Sequence, residues 1–265
     1  MSLTLLKTEL KSNVKMLLIF MALITLYGTV ITLMFDPDIG QGMNELAKSM
    51  PELFAAFGMK DPGSTMLDFL INYLYGFILI LIPFVFSILL SYTLVARYMD
   101  QGSMAYLLNT KYGRKAILQT QIVVFVLEHL ILMTYTTALL LFCSTILMQE
   151  SLDFWRFLYL NIGLFCLHIF LGSLCFFSAC VFNEIRYSIG CGAGIGFLFL
   201  LIQMLSDVNE DFNFLNYLTP LRLFSPERIV EYEGTGFIGV LILFVVGFGF
   251  LMLGKICFSK RDLPL

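Results

Sequence analysis

The chain has 265 residues and a formal net charge of −3. Apolar residues make up 59% of it and charged residues 13%, against about 45–50% and 25% in a soluble domain; mean hydropathy is +0.88. That excludes a single water-soluble core, because the apolar surface exceeds what such a core hides, and the weakly acidic balance gives no footprint for nucleic acid.

Residues 1–15 carry Leu3, Leu6, Leu10 and Val14 on one helical face and Lys7, Lys11 and Lys15 near another. This pattern predicts a short basic amphipathic helix at the inner membrane surface. Residues 16–35 form a first apolar run of span length. No small-residue cleavage site follows it, so it reads as a retained span rather than a signal peptide. The polar stretch 36–68 holds Met43, Leu46, Ala47, Met50, Leu53, Phe54 and Phe57 at helical spacing, broken by Pro51. It predicts two short amphipathic helices on the outer surface.

The second span is expected at 69–95, with Pro83 in its middle. Proline removes an intrahelical hydrogen bond, so a kink is expected there. Residues 96–115 are basic and polar. The third span, 117–147, lies in an apolar stretch longer than the ~20 residues a crossing needs; it must tilt, bend or begin as a cytoplasmic helix. Spans four to six are expected at 157–182, 188–206 and 236–257, with an acidic, aromatic segment at 207–235. Trp155, Tyr159, Tyr187 and Tyr217 fall near the ends of these runs, where an aromatic belt belongs. The fold class is all-α and polytopic: one transmembrane domain over residues 1–265, with six transmembrane helices.

The charges set an orientation. With residues 1–15 in the cytoplasm and sides alternating from there, 11 of the 16 Lys and Arg residues fall inside, among them Lys7, Lys11, Lys15, Arg97, Arg114, Lys115 and Arg186. Lys and Arg belong in excess on the cytoplasmic side, so both termini are expected there. The six cysteines all lie in or beside apolar runs, and no C-x-x-C pair suggests a metal. They read as small packing residues.

Motifs for chemistry are scarce. There is no G-x-x-x-x-G-K-[ST] phosphate loop, no H-E-x-x-H and no G-x-S-x-G. Hence no ATP site of the Walker kind, no catalytic residue and no metal site is expected in this chain. Glu128, beside His129, is the one carboxylate in a predicted span, and an ionisable residue at depth is a functional candidate. Its two readings are a helix-packing hydrogen bond and a proton path; the second would make the protein a proton-coupled secondary transporter or channel. Asn72, Gln121, Asn161, His168 and Gln203 read first as interhelical hydrogen bonds. Gly190, Gly192, Gly194 and Gly196 make two overlapping G-x-x-x-G pairs at the start of span five. They predict close helix packing, against either this chain or a second copy.

One polar segment carries a resemblance. Ala96-Arg-Tyr-Met-Asp-Gln-Gly-Ser-Met-Ala-Tyr-Leu-Leu-Asn-Thr-Lys-Tyr-Gly-Arg-Lys-Ala-Ile resembles the coupling segment of ABC-2-type exporter permeases. That family shows an acidic run, Gly-Thr, a Leu-Leu pair and an Arg shortly before span three; the matching positions are Asp100, Gly102, Ser103, Leu107, Leu108 and Arg114. Tyr217-Leu-Thr-Pro-Leu-Arg-Leu-Phe resembles the family's segment before the last span, and Phe258-Ser-Lys-Arg-Asp-Leu its closing motif. The pattern departs at Tyr98 and Met99, where acids are common, at Lys111 in place of a frequent proline, and at Gln121 in place of a frequent lysine.

The resemblance implies a permease subunit in a bacterial inner membrane. It would pair with a second permease, identical or paralogous, and with two separate ATPase subunits that bind ATP and magnesium. The segment 96–115 would form a coupling helix docked on the ATPase through Met104, Leu107 and Leu108, with Asp100, Arg114 and Lys115 as orienting charges. The N-terminal helix, through Leu3, Leu6, Lys7, Leu10 and Lys11, would flank that contact. Spans one and five would meet their counterparts across the dimer axis. The implied cargo is hydrophobic or amphipathic: a peptide first, as in small permeases that export phenol-soluble modulins, a drug or lipid second.

Overall fold

The structure is a computed structural model. It describes residues 2–35, 49–50, 53, 55, 65–100, 113–148, 152–208 and 210–260. Every regular element among these residues is helical.

Helix α1 runs unbroken over Leu3–Leu33. Its first turn is capped by Ser2, whose hydroxyl accepts from the Leu5 amide. At 1.5 Å per residue it is about 46 Å long, well beyond the ~30 Å of a hydrocarbon core. No break separates an amphipathic start from the span. Helix α2 (Met66–Leu70) passes into a π-helical turn, Ile71–Tyr75, and the chain breaks at Gly76 and Phe77. Helix α3 (Ile78–Ser91) then continues through a second π turn, Tyr92–Ala96, into α4 (Arg97–Asp100). Helix α5 (Arg114–Phe142) ends in a third π turn, Cys143–Leu147. It is one continuous helix, so the long third span neither breaks nor begins as a separate piece.

Helix α6 (Phe154–Val181) starts at Asp153, whose carboxylate accepts from the Trp155 and Arg156 amides. Helix α7 covers Ile185–Val208. Two 3-10 turns, Glu210–Tyr217 and Pro220–Leu223, and the short α8 (Pro226–Val230) lead to α9 (Gly234–Lys260). Six helices are long and apolar enough to cross a membrane: Leu3–Leu33, Ile78–Met99, Arg114–Leu147, Phe154–Val181, Ile185–Val208 and Gly234–Lys260. The expected outer helices in 36–68 fall mostly outside the described residues.

Helix α6 is the hub. It packs against α9, α7, α3, α5 and α8, and most of its length is buried. Its glycines and those facing it decide the spacing. A Cβ on Gly192 of α7 would sit 2.6 Å from the Cys175 Cα, and one on Gly247 of α9 would sit 2.9 Å from the Phe170 Cα. In lipid no hydrophobic force draws helices together, so such backbone approaches supply the dispersion contacts that do. Helix α1 lies to the side, on α5 and α3. Its buried line is Glu9, Asn13, Leu17, Phe20, Ile24, Gly28 and Thr32, while Leu3, Val14, Lys7, Lys11 and Lys15 point outward.

Candidate functional site

Four chain segments far apart in sequence meet at one end of the bundle. The Ser2 amide donates to Thr120 Oγ1 (3.0 Å), the Tyr98 hydroxyl to Glu9 Oε1 (2.5 Å), and the Gln121 amide to the same Glu9 oxygen (3.0 Å). At the rim, Lys255 Nζ donates to Gln119 Oε1 (3.3 Å). So the start of α1, the end of the second span, the start of α5 and the last turns of α9 share one end. The expected coupling segment leaves α4 and enters α5 there. Arg114 and Lys115 open α5, and the Asp100 backbone closes α4. Gly102, Ser103, Met104, Leu107, Leu108 and Lys111 lie outside the described residues, as do residues 261–263 of the closing motif.

The same end holds a polar seam between α1 and α5. Glu9 is 0% exposed, Asn13 3%, Gln121 1% and Glu128 1%. Glu9 Oε1 takes both donors named above, from Tyr98 and Gln121, two of the positions where the sequence departs from the ABC-2 pattern. Glu9 Oε2, Gln121 Oε1, Asn13 Nδ2 and both Glu128 oxygens have no hydrogen-bond partner. The Asn13 amide lies toward the Glu128 carboxylate without reaching hydrogen-bonding geometry. Buried side-chain polar atoms are nearly always paired, so five unpaired atoms in one seam mark an unusual place. Sequence reasoning missed Glu9 and Asn13. Glu9 stands among Lys7, Lys11 and Lys15 and reads as part of a charged flank. The signal was the i, i+4, i+8 spacing of Glu9, Asn13 and Leu17, which extends the buried stripe of α1 downward.

Glu128 and His129 do not face the same helix. Successive helix residues point to different faces: Glu128 faces α1, whereas His129 faces α3. There His129 Nε2 lies 2.7 Å from Ser87 Oγ, and its Nδ1 lies 2.9 Å from the Phe125 carbonyl. The ring packs on Phe125 and Phe86. His168 has a structural task tied to Pro83. Proline has no N–H, so the Leu79 carbonyl four residues back loses its intrahelical donor. His168 Nε2 from α6 donates to that carbonyl at 2.8 Å. Asn161 is also interhelical, accepting from the Tyr75 hydroxyl at 3.0 Å. Asn72 Nδ2 donates to the Asp68 carbonyl of its own turn.

At the opposite end of the second span lies a pocket of about 250 Å³. Ile71, Tyr75 and Ile80 supply apolar wall; Gln203 and Asp207 of α7, with Arg222 and Arg228, supply polar groups. The stretch resembling the family's segment before the last span forms one side of it. Thr219 caps the turn there by accepting from the Leu221 amide, and the Arg222 guanidinium lies 4.4 Å from the Tyr217 ring centre.

The glycine set divides. Gly192 and Gly196 are taken inside the chain, against Cys175 and Phe84. Gly190 and Gly194 meet nothing within 4 Å, beside exposed Tyr187, Leu198, Leu201 and Leu205. Among the described residues no group of three or more His, Cys, Asp or Glu side chains is placed to hold a metal. No protein-family model matches the chain, and no curated protein sequence matches it.

Proposed function

We propose that this chain is the permease subunit of an ATP-driven exporter of the ABC-2 type, with both termini and the segment 96–115 on the cytoplasmic side of a bacterial inner membrane. The observation that carries this reading joins sequence to geometry. The segment resembling a coupling helix departs from the end of the bundle where α1 begins and α9 finishes. That arrangement suits a surface on which a separate ATPase presses several helices at once. Six helices of membrane-crossing length and the excess of Lys and Arg at that end support the same orientation.

In this reading the chain is not itself an enzyme. Two ATPase subunits bind ATP with magnesium, close on one another, and move the coupling helices of two permeases. The permease pair then shifts between two packings, driven by the difference in partner contacts between them. The exposed face of α7 with Gly190 and Gly194, and the exposed face of α1, are the surfaces offered to the second permease. The cargo is a hydrophobic or amphipathic molecule, a peptide first, in keeping with an aromatic, Met-rich chain.

A proton relay from Glu128 to His129 has less support, because the two side chains face different helices. The test is co-expression with a Walker-loop ATPase encoded beside this chain, followed by purification and an ATPase assay. We expect a stable complex whose activity is lost or uncoupled by Leu107→Asp and by Arg114→Glu. Failure of every candidate ATPase to co-purify would sink the reading.

A further inference from the structure

The α1–α5 seam is short of positive charge. Among the described residues no Lys, Arg or His forms an ion pair with Glu9 or Glu128. The unpaired atoms are four acceptors, namely Glu9 Oε2, Gln121 Oε1 and the two Glu128 oxygens, against one donor, Asn13 Nδ2. A bound water would bring two donors but no charge. Two buried carboxylates near enough to act on each other electrostatically need compensation, because an uncompensated buried charge is among the most costly features a protein can hold.

The two carboxylates are not equivalent. Glu9 receives two hydrogen bonds at one oxygen, from Tyr98 and Gln121, and charge-assisted bonds of this kind stabilise an anion. Glu128 receives none. One Glu9 oxygen is therefore occupied, the open acceptors are Glu9 Oε2 and both Glu128 oxygens, and one positive charge among them completes the seam. The available ligands are all hard oxygens, which suit a proton or an alkali-metal ion rather than a soft metal. A proton needs one carboxylate oxygen, and an alkali-metal ion can complete its shell of oxygens with water.

We propose that Glu9 and Glu128 together bind one monovalent cation, a proton or an alkali-metal ion, in the seam between α1 and α5. Among the described residues the ionisable groups around it are few. Glu9 comes from α1, Glu128 from α5, and Tyr98 from α4 with the Arg97 guanidinium 5.5 Å from its ring centre. His129 points away to Ser87. Occupancy ties the first turns of α1 to α5. Its loss sets two carboxylates against each other at the end of the bundle where the segment 96–115 departs. The proposal does not depend on the exporter reading, and its test contains no ATPase.

The test uses the purified full chain in lipid bilayers, with Glu128→Gln and Glu9→Gln for comparison. Infrared spectra are taken across the neutral pH range, and equilibrium binding of radioactive sodium is measured at fixed pH. A proton in the seam gives a carboxylic-acid C=O band at neutral pH in the wild type, which disappears at higher pH and is lost in Glu128→Gln. An alkali ion gives instead saturable sodium binding, one per chain, with a shifted carboxylate band, both lost in Glu128→Gln. Either result supports the site and names its occupant. A wild-type protein with neither a protonated carboxyl nor saturable sodium binding overturns the proposal, and that result is read without any variant having to fold.

Discussion

The bundle has two sides that hold together in opposite ways. Around α6 the contacts are dry and close. Leu164, Leu167 and Phe176 are fully buried, and glycines on α7 and α9 bring backbones into touch. Between α1 and the foot of α5 the buried surface is polar, with Glu9, Asn13, Gln121 and Glu128 in one seam. A dry, interdigitated interface has one good arrangement, because interiors are packed like crystals. A polar seam with unpaired atoms has an arrangement that depends on what it binds. Rigidity therefore belongs to the α6 side and sensitivity to the α1 side.

The largest effect is expected on the rigid side. Gly192→Val places a branched side chain where even a Cβ lies 2.6 Å from the Cys175 backbone. Backbone cannot yield as a side-chain tip can, so α7 must move off α6. We expect a loss of about 3 kcal/mol or more, read as a lowered unfolding midpoint in detergent. In the seam, Glu9→Leu removes the acceptor of the Tyr98 and Gln121 hydrogen bonds and strands buried donors. The expected loss is about 2–3 kcal/mol, with recovery in Glu9→Gln, which keeps an acceptor oxygen. If Glu9→Leu were neutral, the seam would be no more than a packed surface and the contrast between the two sides would fail. Leu167→Ala, back in the hub, is expected to cost about 2 kcal/mol, the lower end of the range for such truncations. Lipid solvates leucine in the unpacked state too, so only the packing contacts are lost.

These residues also show where sequence reading reaches its limit. Six apolar runs of span length announce six helices, because length and hydropathy are properties of each segment alone. The hidden features belong to pairs of segments. Pro83 predicts a defect in the second span, yet nothing local says that His168, on another helix, supplies the missing donor. The break at Gly76 and Phe77 lies before Pro83, where no proline marks it. Glu9 reads as a surface charge because its neighbours in sequence are lysines; only docking of α1 on α5 buries it. Gly190, Gly192, Gly194 and Gly196 look alike in sequence, and their division into inward and outward faces depends on which helix α7 meets.

The pairing of Pro83 and His168 is open to a double-mutant cycle. His168→Leu leaves the Leu79 carbonyl without a donor, at an expected cost of about 1–2 kcal/mol. In a Pro83→Ala background the residue 83 amide supplies that donor within the helix, so the same His168→Leu change is expected to cost little. A coupling of about 1 kcal/mol between the two positions would establish the link. Additive losses would mean that His168 matters through its volume and not through its hydrogen bond.

The smallest effect separates the two faces of α7. Gly194→Ala adds a methyl group into open space and raises helix propensity, so the single chain is expected to gain about 0.5–1 kcal/mol. That sign is opposite to the one expected at Gly192, two residues away on the same helix. If the outward face with Gly190 and Gly194 meets a second permease, the same methyl group must weaken association of two chains in the bilayer while the single chain grows more stable. Fluorescence transfer between labelled copies measures the first quantity and thermal unfolding the second. A gain in stability with association unchanged would assign the outward glycines to lipid contact, and any pairing of two chains would then have to use another face of the bundle.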